Sequence, residues 1–76
     1  MKEKILSILS ELRPDMDYTQ EDVDFVEEGM IDSFDMVALV DSLENEFNVI
    51  IGATEILPEN FCSLDAIANL VEKNKK

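Results

Sequence analysis

The apolar side chains of this sequence recur in three periodic segments, separated by two irregular ones. In KEKILSILSEL, Ile5, Leu6, Ile8, Leu9 and Leu12 fall on one face of a helix, with charged and hydroxyl residues between them. That helix is predicted to stop before Pro14, since the residue ahead of a proline is pushed out of helical geometry. Steps of three and four return further on, where Met36, Leu39, Val40, Leu43 and Phe47 form a second apolar stripe. Asp32 precedes this stripe as an N-cap, its carboxylate able to accept bonds from the free N–H groups of the first turn. Asp35 adds negative charge at the positive end of the same helix. The opposite face carries Asp35, Ala38, Asp41, Ser42 and Asn45, with Val37 and Glu44 at its margins. Ser63 caps a last helix whose inner face is Leu64, Ile67, Ala68, Leu70 and Val71. Lys73, Lys75 and Lys76 complement the negative end of its dipole.

Between the second and last helices, NVIIGA reads as an extended connection ending at a glycine, and Pro58 suits the start of a short helical turn at PENF. The segment from Pro14 to Ile31 is long and acidic, with Val23, Phe25, Val26, Met30 and Ile31 as scattered anchors. Loops beyond about 12–15 residues are uncommon in compact domains and usually functional. The expected fold is all-α: a three-to-four-helix bundle with a long loop between helices one and two. At 76 residues the chain has room for one domain, 1–76, with one core and little space for a buried active site.

Charge narrows the choice of partner. The chain has 18 acidic and 6 basic residues, a formal net charge of -12. Residues 1–13 sum to +1 (Lys2, Lys4 and Arg13 against Glu3 and Glu11) and residues 55–76 to -1, so residues 14–54 carry the whole -12. Nucleic acid and anionic lipid would be repelled by such a body, whereas basic proteins would be attracted. The plain alternative is a solubilising surface. Cys62 is the sole cysteine, so no intrachain disulfide can form. MKEKILSILSEL is too interrupted by charge for a signal-peptide core, and no run is long enough to span a bilayer. A cytoplasmic monomer without membrane insertion is the expectation.

Ser33 stands between the acidic loop and the second helix, where a serine can be a nucleophile if a base takes its proton. The chain contains no histidine, and its lysines lie near the termini, so a small serine hydrolase is a remote reading. A cap or an exposed turn is the ordinary meaning of such a serine. The acidic residues show no EF-hand spacing.

The run Gly29-Met30-Ile31-Asp32-Ser33-Phe34-Asp35-Met36-Val37 resembles the modification site of the acyl carrier protein family, Gly-x-x-Asp-Ser-Leu followed by an acidic helix. Leu39, Val40, Leu43, Glu44 and Phe47 are similar to that family's second helix. Ile51 matches its extended anchor, and LPENFCSLDAIANLV its third and fourth helices. The resemblance implies that Ser33 is the attachment point of a 4'-phosphopantetheine arm, with Asp32 part of the motif. A phosphopantetheinyl transferase would donate the arm from coenzyme A with magnesium, and the arm's thiol would carry an acyl or aminoacyl group as a thioester. The chain itself would be no enzyme. It also implies that partner enzymes read the second helix, with Phe34, Asp35, Met36, Val37, Asp41 and Glu44 as candidate contacts; for Met36, on the apolar stripe, a core role competes. Charge reversal at Asp35 or Glu44 is expected to slow loading and leave the fold unchanged.

Phe34 replaces the leucine of fatty acid carriers, Ala38 an acidic residue and Asp41 an apolar one, which points away from fatty acid synthesis. EEGMIDSF more closely resembles the D-alanyl carriers of cell-wall teichoic acid modification, and discrete carriers of polyketide or nonribosomal peptide pathways. Peptidyl carriers within large synthetases usually show paired glycines before the serine; those are missing here, and the initial methionine points to a free-standing protein. An adenylating ligase supplying a small carboxylic acid, D-alanine first, and a downstream acceptor enzyme are the implied partners. The alternative is an acidic helical adaptor without a prosthetic group, in which Ser33 is dispensable.

Overall fold

The computed structural model describes residues 1–20 and 22–75, and Lys76, one of the three lysines expected beside the last helix dipole, lies outside them. Three α-helices follow one another, α1 (Lys2–Leu12), α2 (Ser33–Phe47) and α3 (Leu64–Asn74), with single 3-10 turns at Ala53–Glu55 and Pro58–Asn60. Every regular element among the described residues is therefore helical, and the expected short turn at PENF is one of the two 3-10 turns.

Helix α1 packs against both α2 and α3. Its face is Ile5 and Leu9, both buried, with Leu6, Ile8 and Leu12 at the edge. The helix closes when the Arg13 N–H donates to the Leu9 carbonyl (2.9 Å), one residue before Pro14. Helix α2 buries Met36, Leu39, Val40 and Leu43, and ends at Asn48 in the left-handed conformation (φ 55°, ψ 48°), which asparagine tolerates better than most residues. After it the chain is extended: Val49 and Ile51 are buried while Ile50 between them is 79% exposed, the period-two alternation of an extended segment. Helix α3 begins under Ser63, whose Oγ accepts the Ala66 N–H (3.0 Å), and buries Ile67, Leu70 and Val71.

The segment between α1 and α2 contributes four of the core's large side chains, Tyr18, Phe25, Met30 and Ile31. Tyr18 and Phe25 meet edge to face, ring centres 5.2 Å apart. The Phe25 N–H donates to the Cys62 carbonyl (2.8 Å), which pins the segment to the start of α3. Although the loop is acidic in sequence, aromatic insertion and backbone bonds hold it against the bundle.

Candidate functional site

Helix α2 starts with a closed reciprocal cap. The Asp35 N–H donates to Asp32 Oδ1 (2.9 Å) and the Asp32 N–H donates to Asp35 Oδ2 (3.1 Å), satisfying two backbone donors at once. From the end of α1, Arg13 donates Nε to Asp35 Oδ2 (3.2 Å), places Nη2 3.1 Å from the same oxygen, and brings Nη2 to 3.8 Å from Asp32 Oδ2. The Asp35 N–H bond, aided by Arg13, holds the Asp32 carboxyl below its ordinary range. In return the hydrogen bond and charge of Asp35 raise the Arg13 guanidinium above its usual value. Ser33, the first residue of α2, is exposed, and the cap is made without its side chain.

The other residues expected to form the site separate into three environments. Phe34 (86% exposed), Val37 (60% exposed) and Asp41 lie on one solvent-facing strip beside Ser33. Met36 is buried among the core residues, the role its place on the apolar stripe favoured. Asp35 and Glu44 are half-buried and bonded within the chain: Asp35 as above, Glu44 through Oε2, which accepts the Ile51 N–H at 2.9 Å. Reversing either charge removes a bond that holds the fold, so, contrary to the expectation of an unaffected fold, such changes cost stability.

The lead-in to Ser33 is a capped turn. Asp24 Oδ1 accepts the N–H groups of Val26 (2.9 Å) and Glu27 (3.0 Å), and the Glu28 N–H reaches back to the Asp24 carbonyl (2.9 Å). The turn closes when Met30 N–H donates to the Phe25 carbonyl (2.8 Å) and Gly29 N–H to the Val26 carbonyl (3.1 Å). This paired arrangement ends helical turns and needs a left-handed residue at the position of Gly29, which has φ +74°. Tyr18 then fixes the chain leaving the turn: its buried hydroxyl donates to the Met30 carbonyl at 2.7 Å. Sequence reasoning singled out neither Tyr18 nor Arg13 for the site. Tyr18 is the only tyrosine, set in an acidic stretch, and Arg13 the last basic residue before Lys73; these were the available signals.

The family described as "Phosphopantetheine attachment site" matches residues 3–71. The D-alanyl carrier protein of Bacillus subtilis (strain 168) is 38% identical over 56 residues, 71% of this chain and 70% of that protein. That of Bacillus licheniformis is 40% identical over 55 residues, 70% of this chain and 69% of that one. The D-alanyl carrier protein of Bacillus velezensis is 29% identical over 75 residues, covering 97% of this chain and 96% of that protein. No solved structure matches the chain.

The chain belongs to the phosphopantetheine attachment family. It is a carrier protein: a covalently attached 4'-phosphopantetheine holds an acyl or aminoacyl group for enzymes that load and accept it. It is not itself an enzyme but the substrate of a phosphopantetheinyl transferase. Among the described residues no helix is long and apolar enough to cross a membrane.

Proposed function

We propose that the arm is attached at Ser33 and that the cargo is a small carboxylic acid, D-alanine being the first candidate, activated and loaded by an adenylating ligase and passed to a downstream acceptor. The observation that carries the attachment point is the exposed Ser33 at the first position of α2, directly after a cap that closes without it. The residues fit the group. A phosphodiester there lies beside the N-terminal N–H groups of a 15-residue helix, which favour an anion. The arm supplies a thiol that carries the cargo as a thioester. The chain's own part is to present one hydroxyl at a fixed place, with Asp32 and Asp35 locking the first turn and Gly29 and Tyr18 fixing the approach.

The small cargo rests on the EEGMIDSF lead-in and on the D-alanyl carrier relatives. It also rests on a core filled by Leu39, Leu43, Ile51, Phe61, Ile67 and Leu70, each no more than 5% exposed. For partner recognition we assign Phe34, Val37 and Asp41: apolar contact beside the arm, and a carboxylate for a basic partner surface. A monomeric single domain at 1–76 acting in the cytoplasm completes the proposal; the single domain is supported by a radius of gyration of 11.1 Å, as one compact body of this length gives.

The test is intact mass before and after incubation with a broad-specificity phosphopantetheinyl transferase, coenzyme A and magnesium. One arm is expected on the native chain and none on Ser33→Ala, which keeps its helical circular dichroism because the cap survives. An unmodified native chain, or an arm on Ser33→Ala, overturns the assignment. Mass of the protein isolated from its host then reads the cargo, and a long acyl chain there refutes the small-acid proposal alone.

A further inference from the structure

Two carboxylates flank Ser33 within three positions, and an attached phosphodiester adds a third anion to the same helical turn. No basic residue follows Arg13 in sequence until Lys73. Among the described residues Lys2 pairs with Asp65, Lys4 with Glu46 and Lys75 with Glu72, all away from this turn. Arg13 alone among the described residues reaches the start of α2, where it grips Asp35 with two nitrogens and stands 3.8 Å from Asp32. Its side chain and that of Asp35 are mostly covered (28% and 19% exposed), so the pair is held in place. Two guanidinium nitrogens converging on one carboxylate oxygen hold it in a way the single nitrogen of a lysine does not.

We propose that Arg13 is a positioning residue for the prosthetic group: it offsets the carboxylates beside Ser33, so that a phosphodiester is carried there without unseating the α2 cap. The proposal rests on Ser33 being the attachment point. A plain clamp between α1 and α2 would stabilise the protein equally with and without the arm. A charge-offsetting residue stabilises the modified form more, and that difference is what a thermodynamic cycle isolates.

The experiment measures melting temperature for apo and arm-bearing forms of the native chain, Arg13→Gln and Arg13→Lys, at low and high ionic strength. Intact mass first verifies the arm at Ser33 in each modified sample. In Arg13→Gln at low salt, adding the arm should lower the melting temperature by roughly 1–5 °C more than it does in the native chain, the range for one exposed charge pair in a domain this small. The excess should shrink with added salt, and Arg13→Lys, which keeps the charge, should restore most of it. An arm-induced shift that is the same in the native chain and Arg13→Gln reduces Arg13 to a clamp and overturns the proposal, leaving the Ser33 assignment standing. Absence of the arm from native protein removes that assignment, and this inference with it.

Discussion

The Tyr18 hydroxyl offers a clean test of how the acidic segment orders the approach to Ser33. Tyr18→Phe keeps the ring against Phe25 and removes one atom, the donor that meets the Met30 carbonyl at 2.7 Å. Tyr18 is 2% exposed and Met30 6%, so water has poor access to the stranded acceptor. A buried acceptor left without its partner costs about 1–3 kcal/mol; since a carbonyl has a second lone pair and phenylalanine is slightly more apolar, we expect about 1–2 kcal/mol. Unfolding entropy near 2.1 cal/mol/K per residue converts that, for this chain, to a fall of roughly 6–12 °C in melting temperature. Thermal unfolding followed by far-ultraviolet circular dichroism, at one ionic strength and near neutral pH, reads it directly. Amide exchange should quicken at Met30 and Ile31 while the core of α3 keeps its order of protection. A fall of less than about 2 °C would refute the reasoning, because it would mean the carbonyl is satisfied without Tyr18.

Gly29→Ala should cost about 1–2 kcal/mol by equilibrium denaturation, from backbone conformation alone, since a Cβ there meets nothing within 4 Å at φ +74°; Gly29→Asn should cost less. Because the Asp35 N–H bond and Arg13 depress the folded-state carboxyl of Asp32, its stabilisation is present above the unfolded value of about 3.9 and lost as pH falls through the depressed one. Melting temperatures of the native chain and Asp32→Asn should therefore converge on acidification below about pH 4; a gap unchanged down to pH 2, about two units below that value, would show that the cap charge is idle. The Debye length is about 30 Å at 0.01 M salt and about 10 Å at 0.1 M. The molecule measures 31 × 22 × 21 Å, so self-repulsion reaches across it at low salt, and melting temperature should rise over that range and more steeply with magnesium; a flat response would count against it. Asp41→Lys should slow ligase-catalysed loading severalfold by kcat/KM with melting temperature nearly unchanged, whereas Glu44→Lys should lower the melting temperature as well, through loss of the Ile51 bond.

Periodicity was sufficient to read the three helices and the burial of Met36, because those signals are local: each residue's neighbours at three or four positions decide its face. The cap at Asp32 was legible for the same reason, the donor it serves being three residues away. What stayed hidden depends on distance along the chain. Arg13 meets Asp35 across 22 positions and Tyr18 meets Met30 across 12, and no periodic pattern ties either pair. Tyr18 was further masked by its surroundings, since Asp15, Asp17 and Asp22 make the stretch read as solvated while a single aromatic ring turns inward. The partner of Glu44 was missed because an exposed-looking acid seven positions before a backbone N–H belongs to no helical spacing.

Local bonds to the backbone change what the acidic composition means. Asp17, Asp24, Asp32, Asp35 and Glu44 all accept backbone N–H groups, so part of the charge between residues 14 and 54 is engaged in holding turns and helix starts. These residues still contribute to the long-range field that steers a basic partner, but offering their oxygens to it would cost the fold a bond. Among the described residues Asp41 makes no such commitment, and it lies on the same strip as Phe34 and Val37. On the recognition proposed above, charge then governs mainly how fast partners arrive, while the two apolar side chains beside Ser33 govern how long they stay. That division suits a carrier, which must be found quickly by several enzymes and released by each, and it requires the truncation Phe34→Ala to raise the dissociation rate of a partner complex more than it lowers the association rate.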